Sequence, residues 1–235
     1  MMTKEIAIEV RDLQKEYHVG DEVVVALHRI NLCILRGEIC CIFGTSGSGK
    51  STLLNQLAGM EKPSRGGVIV NGVPISLLDE EQLAAFRQKN IGFIFQSYNL
   101  LPSLTATENV ALPLMFRGVD RQVREKAANE LLSRVGLAGR LSHYPGQMSG
   151  GQQQRAGIAR AFVSRPSIIF ADEPTGNLDT KTTAEIMQMM TAFARRYRQT
   201  IILVTHDPEM AKYADRIVTL IDGRIVSDTK GDRIE

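Results

Sequence analysis
The stretch GTSGSGKST at residues 44–52 constrains this chain more than any other. It satisfies the phosphate-loop pattern G-x-x-x-x-G-K-[ST] at every fixed position. Such a loop needs a strand before it and a helix after it. Ile39, Cys40, Cys41, Ile42 and Phe43 form an apolar run that reads as a buried parallel strand. Leu53 to Leu57 contains neither Gly nor Pro and can continue as a helix. Gly44, Thr45, Ser46, Gly47, Ser48, Gly49, Lys50, Ser51 and Thr52 are therefore candidate ligand-binding residues. The glycines let successive backbone N–H groups turn toward phosphate oxygens at a helix N-terminus. Lys50 would reach the β- and γ-phosphates, and the Ser51 hydroxyl would ligate Mg²⁺.

The rest of the composition narrows the setting. The 235 residues suffice for one large α/β domain or one domain with a small inserted lobe, and 43% of them are apolar. Twenty-eight Lys and Arg against 26 Asp and Glu leave a net charge of +2, which gives no argument for nucleic acid or an anionic membrane surface. The three cysteines, Cys33, Cys40 and Cys41, have neither disulfide-framework nor zinc spacing, so a reduced, cytoplasmic setting is the default. The first residues do not read as a signal peptide. No stretch approaches the ~18–20 apolar residues of a membrane span. Any membrane is expected to be reached through a partner.

In chain order, residues 5–10 alternate at period two and read as a strand, with a turn at His18, Val19, Gly20 and Asp21. Residues 23–27 and 30–35 are two further β-like runs, 63–67 a turn and 68–72 a strand closing on a tight turn. These segments predict an antiparallel layer beside the phosphate-loop core. Residues 79–89 are helical, and 91–95 form an apolar strand ending at Gln96. Thr105 and Glu108 have capping-box spacing. Within 121–135, Val123, Ala127, Leu131 and Val135 recur four apart and predict one face of an amphipathic helix. A helix opens at Met148–Gln152 and runs to about Val163, and another covers 181–197. Strands follow at 168–173 and 201–205, then a hairpin on Asp222–Gly223. Residues 1–235 thus read as a single domain, with about 79–165 an inserted helical lobe.

Two further groups carry chemistry. Asp172 ends an apolar strand where open α/β sheets bind ligands, and a carboxylate there can hold Mg²⁺ through its water shell. Glu173 beside it could polarise an attacking water. Ser149, Gly150, Gly151 and Gln152 place a hydroxyl and two glycines at a helix start, which reads either as an ordinary N-cap or as a second anion site. One nucleotide does not need two cradles in one chain, so the second points to a site completed by another copy.

The ordered set GTSGSGKST, Gln96, MSGGQ (148–152), IIFADE (168–173), GNLD (176–179) and His206 resembles the ATP-binding subunit of ABC transporters and spans nearly the whole chain. The resemblance implies an α/β fold: a P-loop NTPase core with an N-terminal antiparallel β layer and an inserted α-helical lobe. It implies an ATPase with ATP and Mg²⁺, forming a head-to-tail dimer. Tyr17 would stack on adenine, and Gln96 would sense Mg²⁺ and link to the membrane subunit. Ser149 and Gly151 would bind the γ-phosphate held by the opposite subunit. Glu173 would be the catalytic base, Asp179 would communicate across the dimer, and His206 would hold the γ-phosphate and water. Met148 departs from the usual Leu, a change between unbranched apolar side chains. The stretches FIFQSYNLLP, YPGQMSGGQQQR and ADEPTGNLD resemble the macrolide-export, lipoprotein-releasing and cell-division group. That implies a permease with few transmembrane helices, four being expected, and a large extracytoplasmic domain. The cassette would sit on the inner face of the cell membrane, with no nucleic-acid partner, exporting or extracting a drug, peptide or lipoprotein. The alternatives are an ATPase regulating an envelope or cell-division complex without transport, and an importer ATPase.

Overall fold
Two long strands, β1 (Ile6–Val19) and β2 (Glu22–Leu35), open the fold in a computed structural model that describes residues 5–231. There follow β3 (Ile39–Phe43), α1 (Lys50–Leu57), β4 (Arg65–Val70), β5 (Val73–Pro74), α2 (Glu80–Asn90) and β6 (Ile91–Ile94). Next come α3 (Ala106–Phe116), α4 (Arg121–Arg134), α5 (Gly150–Val163), β7 (Ile168–Asp172), α6 (Thr180–Tyr197) and β8 (Thr200–Thr205). The single turn α7 (Pro208–Ala211) leads to the hairpin β9 (Arg216–Ile221) and β10 (Arg224–Lys230).

The strands form two sheets, ordered β2-β1-β4-β5 and β10-β9-β3-β8-β7-β6. The first is antiparallel throughout; the second is parallel from β9 to β6, with β10 added antiparallel. Period-two alternation sends the central strands' side chains to two cores. Cys40, Ile42, Phe170, Ile202 and Val204 pack with the antiparallel sheet and with Leu53, Leu54 and Leu57 of α1. Ile39, Cys41, Ile169, Ala171 and Leu203 pack on the other side with helical residues such as Ile158, Phe162, Ile186 and Met190. Phe162 and Phe170, both buried, each stabilise the fold by about 1.5–3 kcal/mol through apolar burial. The α/β architecture expected from the sequence is the one observed.

Four local expectations are corrected. The turn after β1 is confined to Gly20 and Asp21, because His18 and Val19 continue the ladder opposite Val23 and Glu22. The two runs at 23–27 and 30–35 are one strand: Arg29 adopts φ 48° and absorbs an irregularity without ending the pairing. Residues 65–67 belong to β4, and Gly66 (φ 75°) lies where a Cβ would come 2.3 Å from the Asp12 carbonyl oxygen. On α4, Val123 is exposed, and the buried face is Ala128, Leu131, Leu132 and then Val135. A four-residue repeat drifts about 40° per step on a 3.6-residue helix, so Val123 rotates out of the face that the i, i+3, i+4, i+7 set maintains. Met148 is buried in the helical core.

Candidate nucleotide site
Pairing register brings the site together. Phe43 lies opposite Thr205 and Asp172 opposite Val204, so the carboxyl ends of β3, β7 and β8 finish level. The residues that follow, Gly44, Glu173 and His206, share one rim, where parallel sheets bind ligands.

Gly44 is the tightest point of the loop: a Cβ there would sit 2.3 Å from the Leu220 carbonyl oxygen and 2.7 Å from the Ser48 Oγ. Gly49 has φ 98°, and a Cβ there would lie 2.8 Å from the Ala26 carbonyl oxygen. Gly47 (φ 78°) has nothing within 4 Å of where a Cβ would stand, so its backbone is open to the cavity. Lys50 is buried and donates from Nζ to the Thr45 carbonyl at 2.6 Å. The Ser48 hydroxyl is buried with no hydrogen-bond partner. No side chain caps α1, whereas Asp79, Thr105, Asp120, Ser149 and Asp179 cap α2 to α6. The first N–H groups of α1 are thus left for an anion, which fits a phosphate group.

A cavity of about 470 Å³ opens there, lined by Ser46, Gly47, Gly49, Lys50, Ser51 and Thr52, with Glu173 facing them. Burial and the neighbouring Glu173 charge push the Asp172 carboxyl above its ordinary range, and the Lys50 ammonium pulls it down. Glu173 adopts φ 42°, its N–H donates to the Val204 carbonyl at 3.0 Å, and its Oε1 lies 2.7 Å from the His206 Nδ1. Ser51 and Asp172 offer the hydroxyl and single carboxylate that Mg²⁺ uses alongside water and phosphate oxygens. Gln96 lies against the loop after β7: its carbonyl accepts from Asn177, and its Nε2 is 2.8 Å from where a Gly176 Cβ would stand.

The remaining predicted residues stand elsewhere. Tyr17 pairs in register with Val24, which lines the cavity, while its hydroxyl donates to Glu61 at 2.8 Å. Burial and Glu61 push that hydroxyl's pKa up. Ser149 and Gln152 form a reciprocal capping box (3.3 and 3.1 Å) and do not line the cavity. A Cβ on Gly150 would meet the Tyr98 hydroxyl at 2.8 Å, and one on Gly151 would meet Thr182 Cγ2 at 3.0 Å. Asp179 caps α6 through Thr182 (3.0 Å to N, 2.7 Å to Oγ1), and those hydrogen bonds hold its carboxyl below the usual range. Ser149, Gly150, Gly151, Gln152 and Asp179 thus make a second group, apart from the phosphate loop. Sequence reasoning missed Val24, Val25, Ala26, His28 and the Asp222–Gly223 turn, all of which line the cavity. The hairpin signal at Asp222–Gly223 was legible, but its seat on the loop, through Gly223 N–H to the Ser48 carbonyl at 3.0 Å, is a tertiary contact.

The profile of the family described as ABC transporter matches residues 27–176. The macrolide export ATP-binding/permease protein MacB of Vibrio parahaemolyticus is 47% identical over 96% of this chain, which spans about a third (34%) of that relative. The lipoprotein-releasing system ATP-binding protein LolD of Geobacter metallireducens is 46% identical over 94% of this chain and 98% of its own length. Among solved structures, the dimeric post-hydrolysis state of the ATP-binding cassette MJ0796 bound to ADP and Pi superposes with a TM-score of 0.89 at 41% identity, covering 97% of this chain and 100% of that one. Family profile, relatives and superposition agree with the phosphate-loop geometry, and the chain belongs to the ABC transporter family.

Proposed function
We propose that two copies of this chain close head to tail around two ATP molecules and drive a membrane permease that exports or extracts an amphiphilic cargo. The observation that carries this reading is the separation of the two cradles. The phosphate loop and Glu173 line one cavity, while the Ser149–Gln152 helix start stands outside it beside Asp179. A second copy supplies what each site lacks. The dimeric assembly named for the cassette MJ0796 supports it.

Within this reading, Lys50 and the N–H groups of residues 44–52 bind the phosphates, and Tyr17 stacks on the adenine. Ser51, Asp172 and Gln96 hold Mg²⁺ directly or through water; the ion supplies charge neutralisation on the phosphate oxygens when bound. Glu173 takes the proton of the attacking water, and His206, 2.7 Å from it, orients that water and the γ-phosphate. Ser149, Gly150, Gly151 and Gln152 contact the phosphate held by the other copy. The Ser149 cap uses its oxygen as acceptor and leaves the O–H free to donate. Loss of the γ-phosphate removes a group shared by both copies and opens the dimer.

Residues 79–165 act as the lobe that passes this motion on. Between α2, α3 and β6 lies a cleft of about 730 Å³ with Ala84, Ile91, Leu112, Pro113 and Phe116 in its walls. Gln96 follows the same strand, and the cleft suits an apolar element of the permease. Among the described residues no helix is long and apolar enough to cross a membrane. The cassette works from the cytoplasmic face, on a permease with four helices and a large extracytoplasmic domain. Relatives named for macrolide export and lipoprotein release support the export or extraction reading. Affinity capture from native membranes tests it. A permease of that form is the expected companion; capture of DNA or ribosomes without a membrane protein would overturn the proposal, and a many-helix permease with a separate binding protein would replace it with import.

A further inference from the structure
Three arginines converge on one tyrosine at the end of the parallel sheet opposite the nucleotide cavity, and a fourth, Arg198, lies in the same cleft as two of them. Tyr197 closes α6, just before β8 begins. Its hydroxyl accepts from Arg134 Nη1 at 2.6 Å, and the guanidinium carbons of Arg165 and Arg196 lie 5.8 and 6.0 Å from its ring centroid. Arg165, Arg196 and Arg198 share a cleft of about 510 Å³ with Pro166 and Ser167.

Two independent features separate this cluster from an ordinary solvated face. First, none of the four guanidiniums forms an ion pair with a carboxylate among the described residues. Glu130 shares a neighbouring small cavity with Arg134 and Arg165 but pairs with neither. A larger cleft at the same end of the sheet shows the contrast: there Arg195 is held by Asp215 at 2.5 Å and Arg216 by Asp228 at 2.6 Å. Second, Arg165 (φ 49°) and Arg198 (φ 52°) both occupy the left-handed region. Glycine fits those positions without the Cβ penalty, and asparagine tolerates them through local hydrogen bonding. Both stand at helix ends, of α5 and α6, where a left-handed residue commonly closes the helix, and these two turns bring both arginines to one cleft.

We propose that this cleft is a docking site for an acidic polypeptide segment, whose carboxylates take the free guanidinium forks bidentately. The surroundings favour a peptide over the other polyanions. None of the large apolar side chains that are exposed lies between residues 145 and 220, so the patch has nothing to insert into a bilayer. The one aromatic ring already carries two guanidiniums, leaving it poorly placed to stack on bases as single-stranded nucleic acid requires. The inference does not depend on the transport reading.

The test is a titration of fluorescein-labelled hexaglutamate into the full chain at low salt, with saturating ADP and Mg²⁺ to fill the phosphate loop. The expected result is saturable binding that weakens steeply with salt, exceeds that of hexaglutamine, and falls at least about tenfold in Arg165→Gln/Arg198→Gly. Glycine suits the Arg198 backbone, so the double variant should keep its Tm and its ATP turnover, which separates loss of binding from loss of fold. Equal binding by wild type and variant, no preference over hexaglutamine, or tighter binding of phosphatidylglycerol vesicles or poly(U) would each overturn the proposal.

Discussion

At the scale of residues, Lys50 shows how a charge is kept ready. Its ammonium is buried within the loop it serves, 2.6 Å from the Thr45 carbonyl, and close enough to Asp172 to offset part of the upward shift that burial and Glu173 impose on that carboxyl. A lysine so placed can exchange one carbonyl for phosphate oxygens with little loss of side-chain freedom. Lys50→Ala should weaken ATP binding by about tenfold to a hundredfold, the worth of a hydrogen bond to a charged group. Titration with a fluorescent nucleotide measures this, and an unchanged Kd would contradict the role. Lys50 and Ser51, and likewise Asp172 and Glu173, could be singled out in the sequence because each pair lies within a short local motif. Val24 and His28 could not, because only the seating of β2 beside the loop brings them to the cavity wall. Nor could the Glu173 backbone. Its left-handed φ is fixed by a hydrogen bond to Val204, on a strand about thirty residues later.

Among elements, α3 depends on one buried amide. Asn109 is fully buried; its Nδ2 donates to the carbonyls of Leu101, Leu104 and Thr105 at 3.1, 2.9 and 3.0 Å, and its Oδ1 accepts from the Leu101 N–H at 2.7 Å. This ties the loop after Gln96 to the start of the helix. Asn109→Leu has nearly the right volume but leaves the Leu101 N–H and the Leu104 carbonyl unsatisfied, whereas the Leu101 and Thr105 carbonyls still accept from the backbone N–H groups of Leu104 and Asn109. Each such group costs about 1–3 kcal/mol, so the variant should lose at least about 2 kcal/mol in urea unfolding. A loss below about 1 kcal/mol would show that the network is dispensable. The Thr105–Glu108 capping box beside it was readable, since both partners lie within one turn. The network was not, because an asparagine in sequence does not announce its burial. The face of α4 was misread for a related reason: equal spacing by four tracks no fixed face of a helix, and only packing chose Ala128 over Val123.

The whole molecule divides its chemistry between two places. One holds the uncapped α1, with the loop, the carboxylates and His206 around it; the other holds the capped start of α5, with Asp179 and Thr182 nearby. The sheet order and the two cores around it hold these groups apart. The sequence made both groups visible, along with the logic of a second copy. It did not show the arginine cluster, because Arg134, Arg165, Arg196 and Arg198 come from three stretches that only the folded edge assembles. The central claim is that ATP joins two copies through these two groups. The most direct measurement is the mass of Glu173→Gln by light scattering, with and without ATP and Mg²⁺. The variant should be a monomer without nucleotide and a long-lived dimer with it, because the phosphate shared by both copies is no longer removed. A monomer under both conditions, with ATP binding retained, would contradict it.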